Sequence, residues 1–302
     1  MYIKEIDMKL NYKVTDNKYL NVKEVLKSHF KISDRLLTKL KKNQKIYLNN
    51  ITTFVNARLN LNDLVEVDLN FDEISENIVP TKMNLNIIFE DETILILNKA
   101  PNIPVHPSIL HYENSLSNGV QFYYLESNIK TKIRPVNRLD KDTSGIVVFA
   151  KNEYIQEILI KQMKNKTFKK EYLAILEGFL KEPFGTIIAP IARKENSIIE
   201  REVNSNGNNA ITHFKLLKNF KYENQKLCLV NFDLETGRTH QIRVHSKYIG
   251  HSILGDSLYG NLSSIINRQA LHAYKISFIH PIYNTSCTFE APIPEDMKKI
   301  IK

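Results

Sequence analysis

The chain has 302 residues, 42% hydrophobic and 25% charged, which is ordinary for a soluble globular protein and long enough for two domains. Lysine and arginine outnumber aspartate and glutamate by 42 to 33, a net charge of +9 that directs attention to polyanionic partners. Two cysteines, Cys228 and Cys287, exclude a disulfide framework; no run of eighteen apolar residues suggests a membrane span, and no leader-like apolar stretch opens the sequence, so a cytoplasmic protein is expected.

Residues 1–18 form an N-terminal segment ahead of a small unit over 19–69. In that unit Val22, Val25, Leu26 and Phe30 recur at helical spacing. Ser33 is placed to cap a second helix whose apolar stripe is Leu36, Leu37 and Leu40. Arg35, Lys39 and Lys42 then share one face of it. Lys45 to Leu48 predicts a strand closed by the turn residues Asn49 and Asn50, and Leu61 to Leu69 a second, in which Val65, Val67 and Leu69 alternate with charge. Charge is uneven here. Lys18 to Lys45 holds nine basic residues against two acidic ones, whereas Asp63 to Glu76 holds six acidic residues and no basic one. A basic helix face beside a small sheet suits a phosphate backbone, though an ordinary solvated helix has the same composition.

Residues 70–84 are polar and acidic around Pro80 and predict a linker. Beyond it, over 85–302, Ile94 to Leu97 and Ile146 to Ala150 are continuous apolar runs, as buried central strands require. Asn152 is placed to cap a helix burying Tyr154, Ile155, Ile158 and Leu159. Tyr172 to Leu176 and Leu227 to Leu234 predict further strands. Strand outweighs helix and no βαβ repeat appears, so the expected class is α+β with a mixed, largely antiparallel sheet.

Three stretches carry chemistry. Arg134-Pro-Val-Asn-Arg-Leu-Asp140-Lys-Asp-Thr-Ser-Gly145 is a polar loop feeding a core strand. Its carboxylates Asp140 and Asp142 lie among Arg134, Arg138 and Lys141, and neighbouring cations keep a carboxylate ionised, as a nucleophile or base requires. Phe168-Lys-Lys170-Glu-Tyr172-Leu-Ala174 puts a tyrosine on a strand, where its ring fits a core or stacks on a base. Thr236-Gly237-Arg238-Thr-His240-Gln-Ile-Arg243-Val-His245 ends a strand in a glycine turn and opens a helix with Arg243 in its first turns. His240, His245 and His251 are spaced by five and six residues, which gives no shared helical face for a metal.

Together these stretches resemble the RluA family of pseudouridine synthases. Asn137-Arg138-Leu139-Asp140, two residues, then Thr143-Ser144-Gly145 matches its first signature, with Asn137 where the family has His. Lys170 to Ala174 matches Lys-x-Tyr-x-Ala, and Thr236 to His245 matches Thr-Gly-Arg-x-His-Gln-Ile-Arg-x-His. Gly250-His251 and Gly255-Asp256-Ser-Leu-Tyr259-Gly260 follow in family order. Glu90 to Lys99, Val105-His-Pro107, Leu271-His-Ala273 and Phe278-Ile-His-Pro281 also match, while Ala100-Pro-Asn102 stands where the family has Pro-Ala-Gly. The small unit is similar to the S-four RNA-binding domain through Ile32-Ser-Asp-Arg35, Lys39 to Lys42 and Leu61-Asn62-Asp-Leu-Val65, with Asn62 where Gly is usual.

The resemblance implies an isomerase of uridine in structured RNA that needs no cofactor and no metal. It makes Asp140 the essential carboxylate, acting by attack on the sugar or by abstracting a sugar proton. It makes Arg243 its ionic partner and Tyr172 the residue stacked on the uracil. Arg138, Arg238 and His240, with Arg35, Lys39 and Lys42 of the small unit, are the expected RNA contacts. Large-subunit ribosomal RNA is the expected partner and a monomer the expected state. The competing readings are a non-catalytic RNA-binding assembly factor, a synthase acting on transfer RNA, and a paired-carboxylate glycosidase, whose two carboxylates would have to lie farther apart than Asp140 and Asp142.

Overall fold

The computed structural model describes residues 8–302, so the first seven residues of the N-terminal segment lie outside the described part. The small sheet is built from β1 (Lys9–Lys13), β2 (Ile46–Leu48), β3 (Ile51–Thr52) and β4 (Leu64–Asp68), antiparallel in the order β1-β4-β2-β3. The strand β1 places Leu10 opposite Val67 and Tyr12 opposite Val65, which carries this sheet back before residue 19. Between β1 and β2 lie α1 (Val22–Glu24), continued by a π-helical turn over Val25–His29, and α2 (Asp34–Lys42). Asn21 and Ser33 cap these helices by accepting from the amides of Glu24 and Leu36. Asn49 and Asn50 take left-handed backbones at φ 53° and 64°, the conformation a two-residue hairpin needs. Asn62 does the same at φ 72°, filling the place of the usual glycine.

The elements that follow are β5 (Ile87–Glu90), β6 (Ile94–Lys99), α3 (Leu116–Glu126), β7 (Ser144–Ala150), α4 (Glu153–Lys164), β8 (Lys169–Glu177) and β9 (Phe184–Ile188). A separate ribbon, β10 (Ile191–Arg193) and β11 (Arg201–Val203), precedes β12 (Ile211–Tyr222), β13 (Gln225–Leu234), α5 (Gln241–Tyr248), β14 (Leu271–Ile279), β15 (Ser286–Glu290) and α6 (Glu295–Ile301). The large sheet runs β5-β6-β7-β14-β8-β13-β12-β9, with β15 beside β14. Among the described residues only β7 and β14 pair in parallel, so the class is α+β with a largely antiparallel mixed sheet.

Period-two alternation assigns the two faces. Ile94 and Ile96 of β6, with Ile146, Val148 and Ala150 of β7, face α4 and the helices of the small unit. Leu95, Leu97, Val147 and Phe149 face the opposite way, toward α3 and α6. Both faces are covered, and for that reason these strands read as continuous apolar runs. Both cysteines are free thiols.

The small unit docks on α4. Tyr154 donates its hydroxyl to the Phe30 carbonyl at 3.0 Å, Ser33 donates to Glu157 at 2.6 Å, and Arg35 pairs with Glu153 at 3.0 Å. Residues 70–84, expected as a linker, lie against α3 and the loop over 130–134. Glu73 bridges Lys39, at 2.7 Å, and the buried Arg134, while the Lys39 ammonium also sits 3.9 Å over the Phe71 ring. The acidic run thus neutralises part of the basic segment: Asp68 pairs with Lys45 and Glu73 with Lys39.

Burial pushes the Glu73 carboxyl up, but hydrogen bonds and charge from Lys39 and Arg134 outweigh it and hold it below the usual range. A depressed carboxylate contributes stability that is complete above the ordinary glutamate value, about 4.3, and is lost as pH falls through the folded value. Removing one partner of a buried pair costs roughly 3–5 kcal/mol. Glu73→Gln is therefore expected to lower the urea midpoint at pH 7, with native and variant converging as pH falls below the ordinary glutamate value and through the lower folded one. A difference independent of pH would refute the ionic account.

Candidate active site

The polar loop reaches its position by pairing with β7 from outside. Val136 donates its amide to the Val148 carbonyl at 2.7 Å, and Ala150 donates to the Arg134 carbonyl at 2.8 Å. The Asn137 side chain continues that pairing, accepting from the Val148 amide and donating to the Ile146 carbonyl, both at 2.9 Å. Asn137 therefore fastens the loop to the sheet. The chain turns over Asp140 to Thr143 and enters β7 at Ser144. At Gly145 φ is +114°, and a Cβ would lie 2.2 Å from the Ala273 carbonyl oxygen of β14, so only glycine fits.

Three buried side chains hold this turn. Lys99 donates at 2.8 Å to the carbonyls of Ala100, Ile103 and Lys141. Arg268, itself paired with Asp296 of α6, donates to the Asp142 carbonyl at 3.1 Å, and Gln269 donates to Thr143. Burial pulls the Lys99 amine down to about 7, opposed by the charge of Asp142. Three carbonyl acceptors are satisfied together only while it keeps three protons.

Asp140 emerges on the wall of a cleft of about 1160 Å³, with its side chain 29% exposed. Arg243, on α5, donates from Nη1 to Asp140 Oδ2 at 3.1 Å. Its remaining edge is held by Asp256, with Nε to Oδ2 at 2.7 Å and Nη2 to Oδ1 at 2.8 Å. Asp256 is fully buried and also accepts from the amides of Leu258 and Tyr259. It is presented by Gly255, whose φ of +73° and contacts with the Ile266 and Arg268 carbonyls leave no room for a Cβ. Burial works against the Arg243 charge, but Asp256 and then Asp140 outweigh it and hold the guanidinium protonated.

Tyr172 stands on β8 beside Asp140, 7% exposed and lining the cleft. Burial, then the Asp140 charge, push its phenol up, so it stays protonated. Among the described residues nothing hydrogen-bonds its hydroxyl. Arg138 and Arg238 are exposed at the cleft rim, and Nε of Arg238 is tethered to the Asn209 carbonyl at 2.9 Å. His240 closes the floor with Nε2 3.7 Å from Asp140 Oδ2. Arg35, Lys39 and Lys42 are not in the cleft. Lys39 is engaged by Glu73 and Glu153 and Arg35 by Glu153, whereas Lys42 is exposed with no acidic partner among the described residues.

The helix bearing Arg243 begins at Gln241, whose Oε1 accepts from the Thr236 hydroxyl and the Arg238 amide and whose Nε2 donates to Ile211 and Thr212. The three histidines go separate ways. His240 meets Tyr259, His245 meets Thr212 and the Ala189 carbonyl, and His251 meets the Glu177 carbonyl. Among the described residues no group of three His, Cys, Asp or Glu side chains could hold a metal ion. Lys99 and Asp256 are members of quoted motifs to which sequence reading gave no role. Their signal was a charged residue inside an otherwise apolar or glycine-rich motif, which marks a buried ion but not its partner.

The family model of RNA pseudouridylate synthase matches residues 93–248. The uncharacterized RNA pseudouridine synthase YhcT of Bacillus subtilis is 41% identical over 278 residues, 92% of this chain and 91% of that protein. Ribosomal large subunit pseudouridine synthase D of Blochmanniella floridana is 35% identical over 280 residues, 86% of each chain. Among solved structures, human RNA pseudouridylate synthase domain containing 1 superposes with a TM-score of 0.58 at 25% identity, covering 69% of this chain and 83% of that one.

The grip of Lys99 on the turn is testable without any assay of activity. Lys99→Met keeps the apolar stem and strips the donor from three carbonyls, each costing about 1–3 kcal/mol if left unpaired. Relief of the desolvation of the buried amine offsets part of that sum, so the expected loss of stability is about 2–4 kcal/mol, with faster amide exchange over 140–143. Unchanged exchange there would show that Arg268 and Gln269 suffice.

Proposed function

The chain belongs to the RNA pseudouridylate synthase family, and from that premise we propose that it isomerises specific uridines of large-subunit ribosomal RNA, with Asp140 as the catalytic carboxylate. The observation that carries the assignment of Asp140 is its ion pair with Arg243 at 3.1 Å on the wall of a cleft shared with Tyr172. In the reaction the uracil's bond from N1 to the ribose is broken, the base turns, a bond from its C5 to the same sugar carbon forms, the C5 proton leaves to water, and the freed N1 takes a proton from water. No group is added and nothing is oxidised.

In this reading the partly exposed carboxylate of Asp140 reaches the sugar while Arg243 keeps it ionised. Two routes use it: attack on the anomeric carbon, or abstraction of a neighbouring sugar proton. The Tyr172 ring covers the base, and its free hydroxyl stands ready to help move the C5 proton. A stacked uridine cannot reach Asp140, so the nucleotide is flipped out at a cost of a few kcal/mol. Arg138, exposed beside Asp140, fills the vacated space or holds a flanking phosphate, and Arg238 extends the basic rim.

The small N-terminal unit, taken as an S-four-like module, supplies sequence-independent grip. Lys42 carries that role better than Lys39, whose charge is already engaged by Glu73 and Glu153. The likeness to a synthase named for the large ribosomal subunit favours ribosomal over transfer RNA. Its action as a cytoplasmic monomer belongs to the same proposal.

The direct test uses RNA tritiated at uracil C5, drawn from cells that lack the protein. Native protein is expected to release tritium to water and Asp140→Asn to release none while still binding. Silence of the native protein on both ribosomal and transfer RNA would favour a binding factor. For the grip, Lys42→Ala is expected to weaken RNA binding and reduce the slope of log K against log salt by about 0.7–0.9; an unaltered slope removes Lys42 from the interface.

A further inference from the structure

His240 has a geometry that RNA contact alone does not require. It sits at the N-terminus of α5 with a left-handed backbone, φ 58°, uncommon for a residue with a Cβ and concentrated at functional sites. Its ring is edge-on to Tyr259 with centroids 5.6 Å apart, and Nδ1 lies 2.8 Å from the Tyr259 hydroxyl. That hydroxyl accepts the Arg201 amide proton at 2.8 Å. The phenol has a single proton to give, and Nδ1 is its partner. If Nδ1 carried the hydrogen instead, the hydroxyl would receive two donors and its own proton would be stranded. The arrangement therefore favours the tautomer with hydrogen on Nε2, and Nε2 faces Asp140 Oδ2 at 3.7 Å.

We propose that His240 is a positioning residue for Asp140: a neutral imidazole, its tautomer fixed by Tyr259, whose Nε2–H closes onto the carboxylate when RNA fills the cleft. At 3.7 Å the contact is longer than a hydrogen bond, and such contacts in an empty site tighten in the complex. Arg243 then holds Asp140 from behind and His240 from the side, fixing the carboxylate's orientation. This inference rests on Asp140 being the catalytic carboxylate.

A pH consequence follows from the neighbours. The charged and titratable groups facing the imidazole are Asp140 from the polar loop, Arg243 from α5, Asp256 and Tyr259 from the 255–260 loop, and Arg201 from β11. Burial lowers the His240 pKa, the Asp140 charge opposes that, and Arg243 and Arg201 reinforce it, so the ring is neutral at pH 7. Protonation in acid would break the acceptor role toward Tyr259. It would also add a second full cation to Asp140, clamping the carboxylate away from the sugar.

The first experiment needs no activity. NMR of the RNA-free protein is expected to show His240 as the Nε2–H tautomer, titrating below 6.5, and Asp140→Asn is expected to shift that titration lower still, because a favourable charge is removed. An Nδ1–H tautomer, or a titration indifferent to Asp140→Asn, overturns the proposal whatever the protein does to RNA. The second uses tritium release under single turnover. Asn tolerates the left-handed backbone but ends short of Asp140, so His240→Asn is expected to lower the rate about 10- to 100-fold with RNA affinity retained. Gln places an amide donor near the Nε2 position, so His240→Gln is expected to recover part of the rate and lose the imidazole's share of the acid limb. A loss confined to affinity, or a pH profile identical in the native protein and His240→Gln, makes His240 an RNA contact instead.

Discussion

A single buried cation shared between two carboxylates organises this protein. Arg243 carries one full charge in a place where water reaches little of it, and such an ion persists only if its hydrogen-bonding edges are satisfied. Asp256 takes two of the guanidinium's N–H donors at 2.7 and 2.8 Å, and Asp140 takes one at 3.1 Å. The asymmetry separates the roles. Asp256 is fully buried, bound by two backbone amides as well, and spent on orientation. Asp140 keeps part of its surface in the cleft and has capacity to spare for a substrate. Because Arg243 is tied first to Asp256, its charge arrives at Asp140 from a fixed direction, which is what preorganised electrostatics demand.

The fold can be understood as the means of bringing residues 140, 243 and 256 together. Asp140 lies at the entry to β7, Tyr172 on β8, and both strands flank β14. Gly145 lets β7 press against β14, and Lys99 and Arg268 grip the carbonyls on either side of the Lys141–Asp142 peptide. The turn bearing Asp140 is thereby held by buried ions whose stems pack in the core. Strength is concentrated in the backbone of the turn, while the side chain it displays is left partly free. Loops serve chemistry in this way when a rigid scaffold positions them.

Much of this was legible in the residues. The apolar runs at 94–97 and 146–150, the caps Ser33 and Asn152, and the turn at Asn49-Asn50 are local signals, and local signals survive folding. The pairing of Asp140 with Arg243 was legible only through family resemblance, because the two are 103 residues apart and no periodicity connects them. Asp256 and Lys99 stood in recognisable motifs without a visible purpose, since their partners are main-chain groups and a distant guanidinium. The strand β1 escaped because Lys-Leu-Asn-Tyr-Lys has one fully buried residue and takes its identity from pairing with β4. Charge was the most misleading signal. A helix face of Arg35, Lys39 and Lys42 reads as free cation, yet the acidic run that follows it in sequence folds back and occupies Lys39.

That internal neutralisation bears on how grip and chemistry are divided. Between the small unit and the cleft lies α4, whose first half, Glu153 to Glu157, receives Arg35, Lys39 and Ser33, and whose second half contributes Ile160, Met163 and Lys164 to the cleft wall. One rigid helix of twelve residues, roughly 18 Å long by its rise per residue, thus touches both the small unit and the active cleft. An RNA held by the exposed cations of the small unit would meet the cleft at a distance set by that helix rather than by a loose tether. The ion pairs along α4 are few and partly exposed, so each contributes little by itself. Their joint effect is geometric: they hold the N-terminal unit and the sheet that carries Asp140 in one frame.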